Sequence, residues 1–217
     1  MNQIFRSKHR KFILLFGLMI QLKFGSINLS TEMLSSQIIN KSHPINPFDN
    51  SDRLFVLSKI SFRSISGLKD HENYPNIGFG YKISKNLALE GSIFNKPLDN
   101  SLNQAITGGV QYFFGTADTL SWVTSVKKSS FSSIKEYNVN SITFDISKWI
   151  NFRSKLFKFG FGSSFYKKND FSINSIGQIN FTFMNILVPV KKSQLGFGLE
   201  INQNTVLNSF FVQRSFK

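Results

Sequence analysis

The 217-residue sequence contains no cysteine and few acidic residues, and these two shortages exclude several classes of protein. Without cysteine the chain forms no disulfide framework and no thiolate-ligated zinc or iron–sulfur site, and we expect no lipid-modified cysteine. Its 12 Asp and Glu stand against 26 Lys and Arg, a formal net charge of +14 that at first suggests a nucleic-acid partner. With 18 % charged and 41 % hydrophobic residues, the chain is too apolar to be wholly disordered.

The apolar run near the start covers residues 12–22, which is 11 residues. A membrane-crossing helix needs about 20 residues, so this run is too short to span. Basic residues precede it (6–11) and small residues follow it (25–30), which is the pattern of a secretory signal peptide. We predict that residues 1–26 are a cleaved signal peptide, with an uncleaved anchor or a buried N-terminal helix as alternatives.

Removal of residues 1–26 lowers the net charge of the chain. This segment carries five basic residues and no acidic one, so the remaining chain has a net charge of +9. An exported chain does not meet DNA or RNA, and we therefore expect no nucleic-acid partner. Residues 27–52 follow; they are rich in Ser and Asn, contain His43-Pro44 and Asn46-Pro47, and show no period. We predict that 27–52 form a flexible periplasmic extension.

From residue 53 to 217, apolar residues alternate with small or polar ones, which is the pattern of half-buried strands. One clear run places Phe197 and Leu199 opposite Gly196 and Gly198. The pattern gives about ten strands of roughly 9–13 residues, close to the about 9–11 that a strand needs to cross a membrane. The sequence therefore predicts an all-β fold: a closed antiparallel up-and-down transmembrane β-barrel of about ten strands, with about eight as the alternative.

The two faces of these strands differ in composition, and the difference predicts which face meets lipid. The face opposite the aromatic stripes is rich in Gly, Ser, Asn and Gln. Glycine packs nothing on a solvent-facing strand but makes room inside a narrow barrel. We therefore assign the apolar face to lipid, and keep a soluble barrel with its Phe inside as the alternative. The predicted lipid-facing residues are Phe79, Tyr81, Phe114, Phe144, Phe157, Phe159, Phe161, Phe181, Phe183, Phe197 and Leu199.

Five charged residues fall on the polar face and are predicted to form a charge network in the lumen: Lys82, Glu90, Asp145, Lys158 and Glu200. Charges in a narrow lumen are tolerated when they are paired. Two hypotheses follow: a salt-bridged plug that closes or gates the pore, or a thin path for water or solute. Small barrels are usually filled by their own side chains, which favours the plug.

The connections between the predicted strands alternate in length over the first half of this region. Long connections are predicted at 64–74, 95–104 and 128–137, and short ones at 84–86 and 115–118. This alternation is typical of barrels with short periplasmic turns, although 148–154 and 185–193 break it. Outer loops are expected to carry Lys127, Lys128, Lys135, Lys167 and Lys168, as solvated residues or as contacts for lipopolysaccharide phosphate. Phe216 lies near the end of the last strand, where the barrel-assembly machinery reads an aromatic residue.

Two segments, 77–92 and 108–114, resemble hairpins of small bacterial outer-membrane barrels. In the first, Ile-Gly-Phe-Gly-Tyr-Lys-Ile leads through Ser84-Lys85-Asn86 into Leu-Ala-Leu-Glu-Gly-Ser. In the second, the sequence is Gly-Gly-Val-Gln-Tyr-Phe-Phe. The likeness is to the membrane domain of outer-membrane protein A and to opacity proteins. It implies the outer membrane of a Gram-negative cell, with outer-membrane lipid and lipopolysaccharide as surroundings.

The sequence shows no metal spacing, phosphate loop or nucleotide fingerprint, so we predict no catalytic residue, metal or cofactor. The predicted role is structural, surface-interacting or that of a narrow pore. One alternative is a lipid-modifying barrel enzyme centred on His71, which shares its loop with Ser66, Asp70 and Glu72. The other is a soluble periplasmic barrel that binds a ligand.

Overall fold

The computed structural model describes residues 43–47, 53–64, 73–98, 101–116, 119–133, 137–170, 174–202 and 205–216. These residues form ten strands: β1 (Leu54–Ser64), β2 (Asn73–Lys82), β3 (Leu87–Leu98), β4 (Ser101–Thr116), β5 (Thr119–Ser133), β6 (Tyr137–Phe152), β7 (Lys155–Asp170), β8 (Asn174–Val190), β9 (Ser193–Asn202) and β10 (Val206–Phe216). Among the described residues, no helix is long and apolar enough to cross a membrane.

The ten strands close into one antiparallel barrel, in which β1 pairs with both β2 and β10. The register shows how far the strands are staggered. Starting at Leu57 of β1, we followed the paired residue on each neighbouring strand around the barrel. In one direction, through β2 to β7, the series of partners ends at Gly177 of β8; in the other, through β10 and β9, it ends at Pro189 of β8. The two ends lie twelve positions apart on β8, and such a stagger tilts every strand against the barrel axis. The predicted closed antiparallel barrel is confirmed, with ten strands.

One end of the barrel has short turns, and we call it the short-turn end. There β1 begins, β10 ends, and residues 83–86, 153–154 and 191–192 join their hairpins. Arg153 (φ 49°) and Ser154 (φ 63°) both adopt the left-handed conformation that a two-residue hairpin turn of the primed type requires. The longer connections predicted at 148–154 and 185–193 are mostly strand, because β6 runs to Phe152 and β8 runs to Val190.

The opposite end, which we call the far end, also differs from expectation. The connections predicted at 95–104 and 128–137 are mostly strand, because β3 runs to Leu98, β4 begins at Ser101 and β5 runs to Ser133. Sequence alternation weakens in these segments because several positions carry Ser, Asn or Lys on both faces. The residues between the strands at this end lie outside the described part of the chain.

The lumen holds two apolar clusters, one near each end. One cluster lies at the short-turn end, within the six residues of each strand that are nearest to that end. It includes Phe55, Phe113, Trp149, Leu187 and Phe211. The cluster at the far end is formed by Phe94, Ala105, Phe131, Val139, Tyr166, Ile179 and Leu207. A layer of polar and charged side chains lies between the two clusters.

Glycines that face the lumen make room for large side chains, as expected from the sequence. A Cβ atom added at Gly160 would lie 2.5 Å from Cζ of Phe183, its partner across the β7–β8 pair. Gly162 has the same relation to Phe181. Glycine on one strand therefore lets an aromatic ring of the next strand lie flat along the barrel wall.

Candidate functional site in the barrel lumen

Among the described residues, seven charged side chains point into the lumen and are at most 8 % exposed. Five are the predicted network residues, Lys82, Glu90, Asp145, Lys158 and Glu200. The other two, Lys59 and Lys127, were not assigned to the lumen from the sequence. Lys127 was expected in an outer loop, but β5 continues through it and its side chain points inward.

Electrostatic interactions join six of these side chains into one network: Lys59, Glu90, Lys127, Asp145, Lys158 and Glu200. Lys127 interacts electrostatically with Glu90, Asp145 and Glu200. Lys158 interacts with Glu90 and Asp145, and Ser125 Oγ also donates a hydrogen bond to Asp145. An isolated buried charge would cost several kcal/mol, so each of these groups depends on its neighbours of opposite sign.

A short stretch of chain ahead of β1 also lies in the lumen. Residues 43–47 (His-Pro-Ile-Asn-Pro) are buried inside the barrel, and we call them the plug segment. We had assigned them to the flexible extension 27–52; for these five residues the structure differs, because barrel side chains bind their backbone. Residues 27–42 and 48–52 lie outside the described residues, and for them the extension stays a prediction.

His43 is held by groups from three strands. Its N–H donates a 2.6 Å hydrogen bond to Oε2 of Glu90, on β3. Its carbonyl oxygen accepts hydrogen bonds from Nε2 of Gln111 on β4 (2.8 Å) and Nζ of Lys158 on β7 (3.4 Å). The imidazole Nε2 lies 2.9 Å from the Gly91 carbonyl oxygen, which accepts from the ring when that nitrogen carries the proton.

The rest of the plug segment runs toward the short-turn end. The Ile45 N–H donates a 2.9 Å hydrogen bond to the His43 carbonyl oxygen, forming a tight turn about Pro44. The Ile45 side chain packs in the apolar cluster of the short-turn end. Nζ of Lys82, the last residue of β2, donates a 2.6 Å hydrogen bond to the Asn46 carbonyl oxygen.

Two glycines of β2 face the side chains of the plug segment. A Cβ atom added at Gly80 would lie 2.6 Å from Cδ1 of Ile45, and one at Gly78 would overlap the ring of His43. The barrel wall is thus indented where each of these two side chains lies. No periodic signal marks the plug segment, because its two prolines and short length form neither a helix nor a strand pattern.

All ten strands present large apolar side chains on the outer face of the barrel, which also carries a hydrogen-bonded polar group of Ser163, Gln178 and Asn180. Nine of the eleven predicted lipid-facing residues point outward: Phe79, Tyr81, Phe114, Phe144, Phe157, Phe159, Phe161, Phe197 and Leu199. Phe181 and Phe183 are corrected: both are 4 % exposed and lie in the lumen. In this part of β8 the apolar face points inward, where Gly160 and Gly162 on β7 leave space for the two rings, while Gln178, Asn180 and Thr182 lie on the outer face.

Aromatic rings collect on the outer face near the short-turn end. Tyr112, Phe114 and Trp122 stack in a row, with neighbouring ring centroids 6.2 and 6.4 Å apart. Nζ of Lys148 lies 5.1 Å from the centroid of the Trp122 ring. Rings paired with cations are typical of a boundary between an apolar and a polar phase.

The described residues offer no group of three or more His, Asp and Glu side chains that could hold a metal ion. His71, with Ser66, Asp70 and Glu72, lies outside the described residues, so the enzyme alternative stays a prediction.

Solved structures with a similar barrel include a porin, an outer membrane channel and a translocator domain. The NanC porin is 12 % identical, with 76 % of this chain and 99 % of that chain covered, at a TM-score of 0.43. An outer membrane channel from Pseudomonas putida F1 is 8 % identical, with 81 % and 100 % covered, at 0.41. The translocator domain of the autotransporter NalP from Neisseria meningitidis is 10 % identical, with 77 % and 89 % covered, at 0.44. At identities of 8–12 % and TM-scores of 0.41–0.44, these similarities say nothing about the function of this chain.

No family model matches the chain, and no curated protein matches it. The resemblance to outer-membrane protein A and opacity proteins therefore stays an expectation.

Proposed function

We propose that the chain is an exported outer-membrane β-barrel protein that crosses the bilayer with its strands. The observation that carries this proposal is the inverted polarity of the barrel. Every one of the ten strands presents a large apolar residue that is at least 38 % exposed, while seven charged side chains of the described residues are buried inside. Water-soluble proteins rarely expose an apolar surface of this extent, whereas a lipid-facing barrel requires one.

The same observation argues against a soluble ligand-binding barrel. That alternative places the Phe residues in a cavity and the charges outside. Instead Phe79, Phe144 and Phe161 are 44–50 % exposed, and Lys127 and Lys158 are at most 1 % exposed. Burying several charges while exposing aromatic rings would be unfavourable in water.

We propose a structural or surface-interacting role with the lumen closed at rest. An apolar cluster near each end, a layer of charged and polar side chains between them and the plug segment all lie in the interior. Outer-membrane lipid surrounds the barrel in this proposal. Exposed Lys128 and Lys167 lie toward the far end, where lipopolysaccharide phosphate would meet them, and β10 with Phe216 offers the signal for barrel assembly.

A narrow pore is the second candidate. The plug segment favours it, because this segment is held by hydrogen bonds from side chains and is not a strand of the barrel wall. Its departure would widen the lumen at the short-turn end. Planar-bilayer recordings separate the two roles: stable conductance steps from the intact protein would contradict a lumen closed at rest.

The two tryptophans provide the test of membrane placement. Trp122 points outward, and Trp149 is buried in the lumen. In vesicles of brominated lipid we expect quenching of Trp122 fluorescence in the Trp149→Phe variant, and little quenching of Trp149 in the Trp122→Phe variant. Equal quenching in the two variants, or release of the protein from membranes by carbonate, would contradict the proposal.

A further inference from the structure

We propose that the lumen is a binding site for a short proline-containing peptide, and that the plug segment occupies this site as an intramolecular ligand. The barrel binds the segment as a protein binds a peptide: polar side chains of the wall pair with its backbone, and indentations take alternate side chains. Residues 43–47 contribute no strand to the sheet, so the ten-stranded wall is complete without them.

Four buried side chains define the polar part of the site. Glu90 accepts the N–H of one residue, and Gln111 and Lys158 donate to the carbonyl oxygen of that same residue. Lys82 donates to a carbonyl oxygen three residues later. All four are at most 4 % exposed, so their hydrogen bonds are shielded from water and are stronger than on a surface.

Two indentations define the side chains that the site takes. The backbone of Gly78 borders the flat ring of His43, and that of Gly80 borders the branched side chain of Ile45. The residue between them is Pro44, around which the backbone turns. Proline restricts the free peptide to few conformations, which lowers the entropy lost on binding. The expected ligand is therefore a peptide with a planar ring, then proline, then a branched aliphatic residue.

The intramolecular segment competes with any free peptide. A segment joined by a short linker has an effective concentration in the millimolar range, so a micromolar peptide does not displace it. A free ligand gains access only when the plug segment has left the lumen. Asn46 and its Lys82 contact lie at the short-turn end, so we expect a free peptide to enter from there.

The test uses the full chain in detergent with the plug segment replaced: His43→Ser, Pro44→Gly, Ile45→Ser, Asn46→Gly and Pro47→Ser together. The probe is a fluorescein-labelled synthetic peptide with the sequence of residues 42–48, Ser-His-Pro-Ile-Asn-Pro-Phe. Fluorescence anisotropy should show saturable binding to the variant and none to the intact protein at the same micromolar concentration. Adding Glu90→Gln to the variant should weaken binding at least tenfold, whereas adding Lys85→Gln at an exposed turn should not.

A peptide in which Gly replaces the His and the Ile serves as the matched control ligand. If the folded variant, recognised by its heat-modifiable mobility on a gel, does not bind the probe or binds both peptides equally, the proposal is overturned. Should the fivefold variant fail to fold, the His43→Gly/Ile45→Gly variant takes its place, with hydrogen exchange confirming release of the segment. Binding in detergent does not depend on the membrane, so its failure is distinct from failure of the brominated-lipid test.

Discussion

The backbone N–H of His43 donates a hydrogen bond of 2.6 Å to Oε2 of Glu90, 47 positions further along the chain. Glu90 also accepts from Nε2 of Gln111 (2.8 Å) and interacts electrostatically with Lys127 and Lys158. One carboxylate therefore joins the plug segment to the charge network of the barrel wall. A substitution of Glu90 therefore affects both the barrel wall and the plug segment.

Glu90→Gln removes the charge while keeping the shape and one acceptor oxygen. Lys127 and Lys158 lose a counter-charge in a place that water does not reach, so we expect the free energy of unfolding to fall by about 3 kcal/mol. Urea titration of the folded barrel in detergent, followed by tryptophan fluorescence, measures the loss. Lys85→Gln, at an exposed turn, is the control and should change little. Equal stability of Glu90→Gln and the intact protein would show that the network does not depend on this charge.

Gly78→Val tests whether the plug segment needs the indentation in β2. The new side chain would overlap the ring of His43 and drive it from the lumen. We expect faster hydrogen exchange at the amides of His43, Ile45 and Asn46, while the barrel stays folded. Gly108→Val is the matched control, because a Cβ atom there meets nothing within 4 Å. Unchanged exchange in Gly78→Val would mean that the ring is not held against this wall.

Much of the fold was predictable from the sequence, because the two-residue period depends only on the alternation of side chains along a strand. The period does not say which face points inward. Composition assigns the apolar face to lipid, and this assignment is wrong at Phe181 and Phe183, where the apolar face of β8 points inward and Gln178, Asn180 and Thr182 lie outside. Only the pairing of β8 with Gly160 and Gly162 of β7 decides it.

The sequence predicted five of the seven described lumen charges and missed Lys59 and Lys127. Lys82 and Lys158 stand inside clear alternations, but Lys127 is followed directly by Lys128 and a run of serines. A segment with polar residues on both faces has no periodic signal, so the sequence indicated a loop where β5 continues. The plug segment could not be predicted at all, since its place depends on hydrogen bonds to residues from 36 to 115 positions away.

Phe183→Ala and Phe161→Ala test the corrected assignment of faces. Phe183 lies in the lumen, with Nζ of Lys158 at 5.5 Å from its ring centroid, whereas Phe161 is 44 % exposed on the outer face. Truncation of Phe183 leaves a cavity and should lower the free energy of unfolding by about 3–5 kcal/mol. Truncation of Phe161 should cost clearly less in detergent, because micelle tails fill the space. The same urea titration compares the two, and a larger loss for Phe161→Ala would contradict the inward direction of Phe183.

Lys127→Met and Lys128→Met are neighbours in sequence on opposite faces of β5, which makes them a matched pair. Lys127 is buried among Glu90, Asp145 and Glu200, while Lys128 is exposed. Met keeps the length of the side chain and removes the charge, so Lys127→Met should destabilise the barrel by about 3 kcal/mol, because the three carboxylates around it lose a buried counter-charge. Lys128→Met should stay within about 0.5 kcal/mol of the intact protein.

The double variant Lys127→Met/Glu90→Gln separates a charge effect from a packing effect. If the two residues stabilise the barrel through their opposite charges, the second substitution relieves the charge that the first left unpaired. The double variant should then lose about 1–3 kcal/mol less than the sum of the two single losses. Losses that simply add would show that Lys127 contributes through its aliphatic stem beside Gly109 and not through its ammonium group.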